Sequence, residues 1–403
     1  MRAMAPADAQ LLWLSESMPN DQLLLYAFDG EFGTDGIAHS LDEVRRRAQA
    51  RDELRLRVRD DHPWRYPRWV TGDISSDQFV VHQAGDWQGC LDSLSGLDRL
   101  DAQRMSWRFH VFPPNVVVVQ MSHALGDGTR SAVLAAALLG RHGAVPVVPR
   151  SGRGSLLWRA AAAARAHRQL VSDTEAGLIA PPAGTRPPLS VNARPRSTPA
   201  LRTLVAERSR LRHPTVTVAA LAAISEALGG YLADRGEDTD RLGAEIPMSL
   251  PLRDANNNFH NVGIGLYPDL TREYRPGRIA EDLADRRRRG EHPAMQASRA
   301  AFAAVPARLL RWGVGQFDPA RRASGVTGNN VVSSINRGAA DLSFSGCAVR
   351  LTAGYPALSP MMSLTHGVHG IGDTVAVSVH ADAANVDVDG YMDRLANALG
   401  LQT

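Results

Sequence analysis

The sequence predicts a mixed α/β (α+β) fold built from two halves, and three observations lead to this prediction. The chain has 403 residues, which is too long for one ordinary hydrophobic core and suits two domains or one duplicated unit. Apolar residues make up 44% of it and charged residues 22%, as is usual in globular proteins. Strand-like and helix-like patterns alternate within residues 1–150 and again within residues 201–403, and a helical, proline-rich connector occupies residues 151–200.

The elements of the first half follow from periodicity and turn chemistry. Ser40, with Glu43 three residues later, predicts the N-cap of a helix over residues 40–51. The sequence Pro-Pro-Asn at 113–115 predicts a turn, and the alanine- and leucine-rich residues 129–139 predict a helix. Alternating or continuous apolar runs predict strands at residues 23–28, 54–59, 107–112 and 116–119.

The connector and the second half show the same kinds of pattern. Residues 155–179 predict one helix that is rich in alanine and arginine. Residues 216–232 have the composition of a buried helix, and residues 387–399 predict the last helix. Strands are predicted at residues 243–249, 262–267, 329–335 and 373–381.

Composition argues against several classes of protein. The net charge is +3 and every basic side chain except histidine is arginine, but these arginines are spread along helix-like segments and are not interleaved with aromatic residues, so a nucleic-acid partner is disfavoured. Cys90 and Cys347 form no metal-binding pattern and predict two ordinary thiols. No apolar run of transmembrane length and no signal-peptide core is found, so we expect a cytoplasmic protein.

The residues that carry chemistry lie between four consecutive valines and the predicted helix that follows them. This placement puts His123 at a strand end, where an imidazole can take a proton from a hydroxyl group because its pKa lies near neutral pH. Asp127 can hold the loop by accepting hydrogen bonds, and Gly126 and Gly128 permit a tight backbone and close ligand approach. The same pattern also fits a turn whose histidine satisfies local backbone groups.

The pattern His-x-x-x-Asp-Gly after a hydrophobic strand resembles the signature of the coenzyme A-dependent acyltransferase superfamily. Within that superfamily the chain is most similar to the wax ester synthase/diacylglycerol acyltransferase family, because residues 100–111 resemble its segment Pro-Leu-Asp-x-x-x-Pro-Leu-Trp. Further matches follow in the family's order at residues 188–192, 245–250, 261, 267–268, 332–335 and 344–346. The resemblance therefore covers nearly the whole chain.

The chain departs from the family pattern at three places. The family usually has two adjacent histidines, and Ser122 stands in the first position here. Thr217-Val218 replaces an Asn-Asp pair, and Ser334 replaces the asparagine of a Ser-Asn-Val segment. These departures indicate a relative that acts on an alcohol other than the family's usual lipid acceptors.

The resemblance implies two chloramphenicol-acetyltransferase-like halves that form a pseudo-dimer with a tunnel between them. It implies an acyl-CoA-dependent O-acyltransferase with His123 as general base and Asp127 as the second catalytic residue. Acyl-CoA is the co-substrate, the hydroxyl acceptor is a lipid alcohol, diacylglycerol or a specialised metabolite, and neither a further cofactor nor a metal is implied. Candidate residues of the channel in the second half are Ser249, Asn261 and Ser333. Arg253 is the candidate partner of Asp127.

Other functions remain open or are disfavoured on motifs. The sequence has no GxSxG, no HExxH and no complete GxGxxG, which argues against serine hydrolases, zinc hydrolases and dinucleotide enzymes. A condensation-type enzyme that uses an acyl-carrier thioester, and a non-catalytic acyl-binding homologue, both remain compatible with the sequence. Residues 158–170 fit either a solvated helix or peripheral contact with the inner membrane surface.

Overall fold

The computed structural model describes residues 2–148, 154–211 and 214–401. Within these ranges the chain forms two six-stranded sheets, a small three-stranded sheet and ten α-helices. The strands are β1 (Arg2–Ala3), β2 (Gln22–Phe28), β3 (Leu56–Arg59), β4 (Arg68–Thr71), β5 (Phe79–Val81), β6 (Trp107–Phe112), β7 (Val116–Met121), β8 (Pro199–Glu207), β9 (Gly243–Ser249), β10 (Phe259–Gly265), β11 (Asn330–Asn336), β12 (Ser343–Phe344), β13 (Cys347–Gly354), β14 (Leu364–Ile371) and β15 (Thr374–Asp382). The helices are α1 (Pro6–Leu14), α2 (Thr34–Gln49), α3 (Trp87–Ser95), α4 (Gly128–Leu138), α5 (Leu156–Glu175), α6 (Val216–Ala233), α7 (Arg275–Glu291), α8 (Pro293–Phe302), α9 (Ala307–Gly315) and α10 (Val388–Ala398).

The first large sheet has the strand order β12-β13-β2-β7-β6-β5. Strand β7 lies inside it and is buried along its whole length, as its run of valines predicts. Val117 and Val119 face one hydrophobic core, and Val116 and Val118 face another, because successive side chains of a strand point to opposite faces. The strand that leads to the His-x-x-x-Asp-Gly motif is therefore packed on both faces.

The second large sheet has the strand order β10-β9-β11-β14-β15-β8. Helix α6 packs on this sheet, and eleven of its residues, including Leu221, Ile224 and Leu228, are buried. In the described part of the chain, α6 is the one helix that is long and apolar enough to cross a membrane, and 61% of it is buried inside the protein. Its apolar composition is thus explained by the core of the second half, as the sequence predicts.

Two strands from the second half of the chain complete the first sheet. Strand β13 pairs with β2 in antiparallel fashion, with Thr352 opposite Tyr26, and β12 extends the sheet by pairing with β13. The chain then returns to the second sheet at β14. The predicted division at residue 150 lies outside the described residues. The division at residue 200 stays a prediction, and the pairing of β13 with β2 joins the segments on either side of it.

The strands β9 and β11 separate soon after they meet. They pair in parallel at Asn330 and Val331, whereas β11 continues to pair with β14 as far as Asn336. Beyond Val331 the edges of β9 and β11 therefore diverge inside the second sheet. The opening faces the His-x-x-x-Asp-Gly motif of the first half and provides the room for a cavity.

Some predicted elements differ from the structure. Helix α2 begins at Thr34, so Ser40 is not its N-cap but a buried residue of its interior that accepts a hydrogen bond from Ser345 N at 2.9 Å. The predicted strand at 54–59 is a 3₁₀ turn over Asp52–Arg55 followed by the shorter β3. No pattern in the sequence predicts the strands β1, β4, β5, β8, β12, β13 and β14 or the helices α1, α3, α8 and α9.

Helix α5 occupies most of the predicted connector helix and is largely exposed. Leu157 and Trp158 near its start are 81% and 80% exposed, while Leu170 is buried. An exposed apolar pair at the start of an alanine- and arginine-rich helix is compatible with contact to a lipid surface. Peripheral membrane association through this helix stays a prediction.

Candidate active site

A cavity of about 330 Å³ lies between the two large sheets. The motif loop contributes His123, Asp127 and Gly128 to its wall. The wall also includes residues of α1, of the start of β2 and the segment that leads into it, of the strands β9, β10, β11, β13 and β14, and of the segments that follow β11 and β13. The cavity thus occupies the position predicted for the tunnel between the halves, and its volume is that of a small-molecule site.

His123 is half-buried and faces this cavity from the loop between β7 and α4. Its Nδ1 atom lies 2.9 Å from Oδ1 of Asn257, which belongs to the loop between β9 and β10. The imidazole ring also contacts Phe259, with ring centroids 5.7 Å apart. Both contacts come from the second half of the chain, so the two halves jointly position the histidine.

The other hydrogen bonds of Asn257 determine which nitrogen of His123 carries the proton. The amide nitrogen Nδ2 donates to Asp8 Oδ1 at 2.9 Å and to the carbonyl oxygen of His123 at 2.8 Å. Because both of these partners are acceptors, Oδ1 of Asn257 is the atom that faces the imidazole. His123 therefore donates through Nδ1–H, and the lone pair of Nε2 is available on the cavity side.

Asp8 anchors this arrangement from helix α1. Its carboxylate accepts hydrogen bonds from the backbone N–H groups of Asn256 and Asn257, at 3.0 and 2.8 Å, in addition to the Asn257 side chain. The side chain is almost completely buried, and burial raises the pKa of Asp8 to about 6, although its hydrogen bonds oppose this shift. Asp8 thus acts on His123 through Asn257 and does not touch the imidazole.

The surroundings of His123 favour the neutral imidazole that a general base requires. Burial lowers the pKa of His123 because the charged form loses hydration. The hydrogen bond with Asn257 and the charge of Asp127 oppose this effect, and burial outweighs both.

Asp127 holds the loop in place. It caps helix α4 by accepting a hydrogen bond from Arg130 N at 2.8 Å, and it accepts another from Asn258 N at 2.9 Å. The predicted partner Arg253 forms an ion pair with it, with Nη2 3.1 Å from Oδ2. These bonds assign Asp127 a positioning role, since it joins the motif loop to the loop that carries Asn257.

The two glycines of the motif, Gly126 and Gly128, pack closely against other side chains of the protein. A Cβ atom at Gly126 would lie 2.5 Å from Arg130 Cδ, and one at Gly128 would lie 2.2 Å from Ile335 Cδ1. Protein side chains therefore occupy the space beside these glycines in which a ligand was expected. Gly128 also borders the cavity. Ser122 is buried, and its backbone carbonyl accepts from Leu125 N at 2.9 Å within the turn.

The three predicted channel residues all line the cavity. Ser249 ends β9 directly opposite Phe259, the residue that contacts the His123 ring. Ser333 lies on β11, on the far side of the opening between the two strands. Asn261 lies on β10, and its side-chain amide donates to Glu245, whose pKa is raised by burial. Their roles in binding stay predictions.

Two of the departures from the family pattern are in contact with each other. The hydroxyl groups of Thr217 and Ser334 lie 2.8 Å apart, so the changes at these two positions form one hydrogen-bonded pair between α6 and β11. The asparagine of the 188–192 segment, Asn192, is fully buried and donates to the carbonyl oxygen of Met361 at 3.0 Å. It supports the backbone and does not line the cavity.

Sequence reasoning missed Asp8 and Asn257. Asp8 stands out in the sequence as a charged residue within an apolar segment, and Asn257 is the middle residue of three consecutive asparagines. Neither pattern indicates a partner, because the hydrogen bonds join residues more than one hundred positions apart. Among the residues that the structure describes, no group of three or more histidine, cysteine or acidic side chains is arranged to hold a metal ion.

No protein-family model matches the sequence, and no curated protein sequence matches it significantly. Solved structures do match. A wax ester synthase/diacylglycerol acyltransferase from Marinobacter aquaeolei is 17% identical with a TM-score of 0.65, and the alignment covers 99% of this chain and 98% of that one. The starter condensation domain of rhizomide synthetase RzmA, solved as a variant in complex with C8-CoA and Leu-SNAC, is 13% identical with a TM-score of 0.57 and coverages of 99% and 93%. Another variant of that domain, in complex with C8-CoA, has a TM-score of 0.58 at 13% identity and coverages of 99% and 94%.

These likenesses confirm the fold that the motif resemblance implied. They extend over nearly the full length of both chains, and they include the family that residues 100–128 resemble. Below 25% identity a structural likeness establishes the fold and not the substrate. The chain has the two-halved, chloramphenicol-acetyltransferase-like fold shared by the wax ester synthase/diacylglycerol acyltransferase and the condensation domains.

Proposed function

We propose that the protein is an acyl-CoA-dependent O-acyltransferase in which His123 Nε2 is the general base. The observation that carries this proposal is the orientation of Asn257, which holds the Nδ1 proton and leaves the Nε2 lone pair facing the cavity. An acceptor hydroxyl beside Nε2 would lose its proton to the ring as its oxygen attacks the thioester carbonyl. Collapse of the tetrahedral intermediate would then break the carbon–sulfur bond, and the proton on Nε2 would pass to the departing thiolate.

The negative charge on the tetrahedral intermediate calls for a hydrogen-bond donor near His123. We assign this role to Ser249, because it faces the cavity opposite Phe259, and Phe259 contacts the His123 ring. Loss of a single donor of this kind typically lowers kcat by about a hundredfold or more. Ser333 lies across the opening and is better placed to contact the substrate than the reacting carbon.

The test is product formation from a panel of acyl-CoA donors and alcohols, read by mass spectrometry. We expect the wild type to form esters, His123→Ala to form none while remaining folded, and Ser249→Ala to retain about one hundredth of the activity. The surface variant Ser93→Ala serves as the matched control, since Ser93 is exposed and lies on α3, which contributes no residue to the cavity wall. Undiminished turnover by His123→Ala would refute the mechanism.

A second candidate function, transfer from an acyl-carrier thioester with amide formation, is supported by the likeness to condensation domains. The two functions share the same general base and differ in donor and acceptor. Presenting one acyl group as coenzyme A thioester and as carrier-protein thioester, each with an alcohol and an amine of the same carbon skeleton, separates them. A protein that binds acyl thioesters but forms neither ester nor amide would instead be a non-catalytic acyl-binding homologue.

A further inference from the structure

A buried arginine borders the same cavity away from His123. Arg337 directly follows β11 and is only 6% exposed, yet it contributes to the cavity wall. Its Nη1 atom donates to the carbonyl oxygens of Leu25 and Ala353 and to the hydroxyl group of Thr352. The guanidinium also lies over the ring of Tyr26, 5.4 Å from its centroid. All of these partners are uncharged.

No carboxylate forms an ion pair with Arg337 within residues 2–148, 154–211 and 214–401. Burial lowers the pKa of its guanidinium, but arginine remains charged in proteins because the guanidinium is a very strong base. The acidic residues of the cavity wall lie elsewhere: Asp127 is paired with Arg253, and Asp21 precedes β2. Asp21 is separated from Leu25 by about 13 Å along the strand. The buried positive charge is therefore left without a counter-charge.

A second donor and a glycine complete this end of the cavity. A Cβ atom at Gly354 would lie 2.9 Å from Arg337 Nη2 and 3.1 Å from His369 Nε2, so both side chains converge above this glycine. Gly354 and His369 border the cavity as well. Burial and the neighbouring guanidinium hold the pKa of His369 well below its usual value, which keeps the ring neutral. Its Nδ1 atom has no hydrogen-bond partner.

Building on the proposed function, we infer that Arg337, His369 and Gly354 form a binding site for a carboxylate carried by one of the two substrates. A guanidinium matches a carboxylate in geometry and balances its single charge. A phosphate monoester, with a charge between −1.5 and −2, would leave negative charge unbalanced in this buried place. The distance to the reacting centre suits a short acid, because Leu25 lies three residues, or about 10 Å, along β2 from Gln22, which pairs with Met121 next to the motif.

The carboxylate can belong to the acyl group or to the alcohol, and two sets of substrates distinguish these sources. The donor set pairs ω-carboxyacyl-CoA thioesters with unsubstituted acyl-CoA thioesters of the same length. The acceptor set pairs ω-hydroxy acids with primary alcohols of the same length. We expect a preference of at least tenfold in kcat/KM for the carboxylate-bearing member in one of the two sets, and we expect Arg337→Gln to abolish it.

Binding measured by calorimetry tests the site independently of turnover. Straight-chain alkanoates of four to ten carbons are titrated into the wild type alongside alkanols of the same lengths. We expect at least one alkanoate to bind tenfold or more tightly than its alkanol. Arg337→Gln should remove this difference, and Arg337→Lys should restore part of it because the charge is retained. Equal affinities of alkanoates and alkanols for the wild type at every length would overturn the inference, whether or not the protein transfers acyl groups.

Gly354→Ala provides a test that leaves the charge in place, which matters if Arg337→Gln fails to fold. The added methyl group would displace Arg337 Nη2 and the His369 ring, so alkanoate binding should fall at least tenfold. Gly277→Ala is the matched control, since a Cβ there meets no atom within 4 Å, and it should bind alkanoates like the wild type. Unchanged alkanoate binding by Gly354→Ala would also contradict the site.

Discussion

His123 owes the position of its ring proton to a carboxylate that it does not contact. Asp8 accepts from the side chain of Asn257, and this bond turns the carbonyl oxygen of Asn257 toward the imidazole. If the amide were reversed, its N–H group would face Nδ1 and favour the tautomer with the proton on Nε2. That tautomer has no lone pair to offer on the cavity side, so in the proposed mechanism a single side-chain rotation separates an active base from an inactive one.

Asp8→Asn tests this dependence. The substitution replaces one of the two acceptor oxygens by an N–H₂ group, which donates and does not accept, so either Asn256 N or the two donors of Asn257 lose their acceptor. We expect kcat to fall by about tenfold to a hundredfold with little change in KM, because the base is misplaced while the cavity is intact. Steady-state kinetics measure the effect, and Asp42→Asn on the surface of α2 is the control. A change confined to KM would contradict this role.

The pH dependence of kcat/KM follows from the two shifted groups. Since burial lowers the pKa of His123, the neutral base should persist below the ordinary histidine pKa of about 6.5. Asp8, with a pKa raised to about 6, takes up a proton as the pH falls through that value and weakens its bond to Asn257. We expect constant kcat/KM at neutral pH and an acid limb below 6.5. A limb centred above pH 6.5 would show that another group controls the reaction.

At the scale of elements, Asp127 connects the start of helix α4 to the loop between β9 and β10. It is the N-cap of α4, and its ion pair with Arg253 joins side chains that are 8% and 17% exposed. Asp127→Ala leaves a largely buried guanidinium unpaired, so we expect the free energy of unfolding to fall by about 3 kcal/mol. Urea denaturation monitored by circular dichroism measures this change.

A double-mutant cycle with Arg253→Met isolates the pair itself. The coupling energy between the two positions should be about 1–3 kcal/mol, because the residues are in contact. Asp42→Ala removes an exposed ion pair with Arg45 and should change stability by less than about 1 kcal/mol. Additive effects of Asp127→Ala and Arg253→Met would mean that the pair contributes nothing beyond the cap.

The elements predicted from sequence are those whose patterns are local. Strand β9 was predicted with its observed bounds, and β7 is recognisable from four valines. Strand β14 was missed because Gly367 and Gly370 interrupt its apolar run, and β13 was missed because Arg350 interrupts its own run and Gly354 ends it. These glycines are required by tertiary packing: a Cβ at Gly367 would lie 2.1 Å from the carbonyl oxygen of Gly354, a contact that the sequence does not show.

The candidate site divides in the same way. His123, Asp127 and the cavity residues Ser249 and Ser333 were found because they belong to short patterns that lie on or just after predicted strands. Asp8, Asn257 and Arg337 were missed because their significance depends on partners brought together by the fold. An arginine in a sequence rich in arginine carries no signal until its burial and its uncharged surroundings are known.

At the scale of the whole molecule, the two halves meet where Gly128 of α4 packs against Ile335 of β11. A Cβ at position 128 would lie 2.2 Å from Ile335 Cδ1, so Gly128→Ala should force the halves apart at the cavity. We expect a loss of stability of about 1–3 kcal/mol and at least a tenfold lower kcat/KM. Thermal unfolding and steady-state kinetics measure the two effects.

Ile335→Val is the matched second change, because it removes the Cδ1 atom that clashes. The double variant Gly128→Ala/Ile335→Val should recover most of the stability and activity lost by Gly128→Ala. If Ile335→Val gives no recovery, the cost at position 128 is conformational and does not arise at the contact between the halves.

The pairing of β13 with β2 joins a late segment of the polypeptide to an early one. Until β13 has been synthesised, β2 presents a bare row of backbone donors and acceptors beside the apolar core that it shares with β7. A fragment that stops at the connector would thus leave β2 as an unpaired edge strand and would tend to associate with copies of itself. Splitting this protein into separately expressed halves should therefore require moving residues 343–354 onto the first of them.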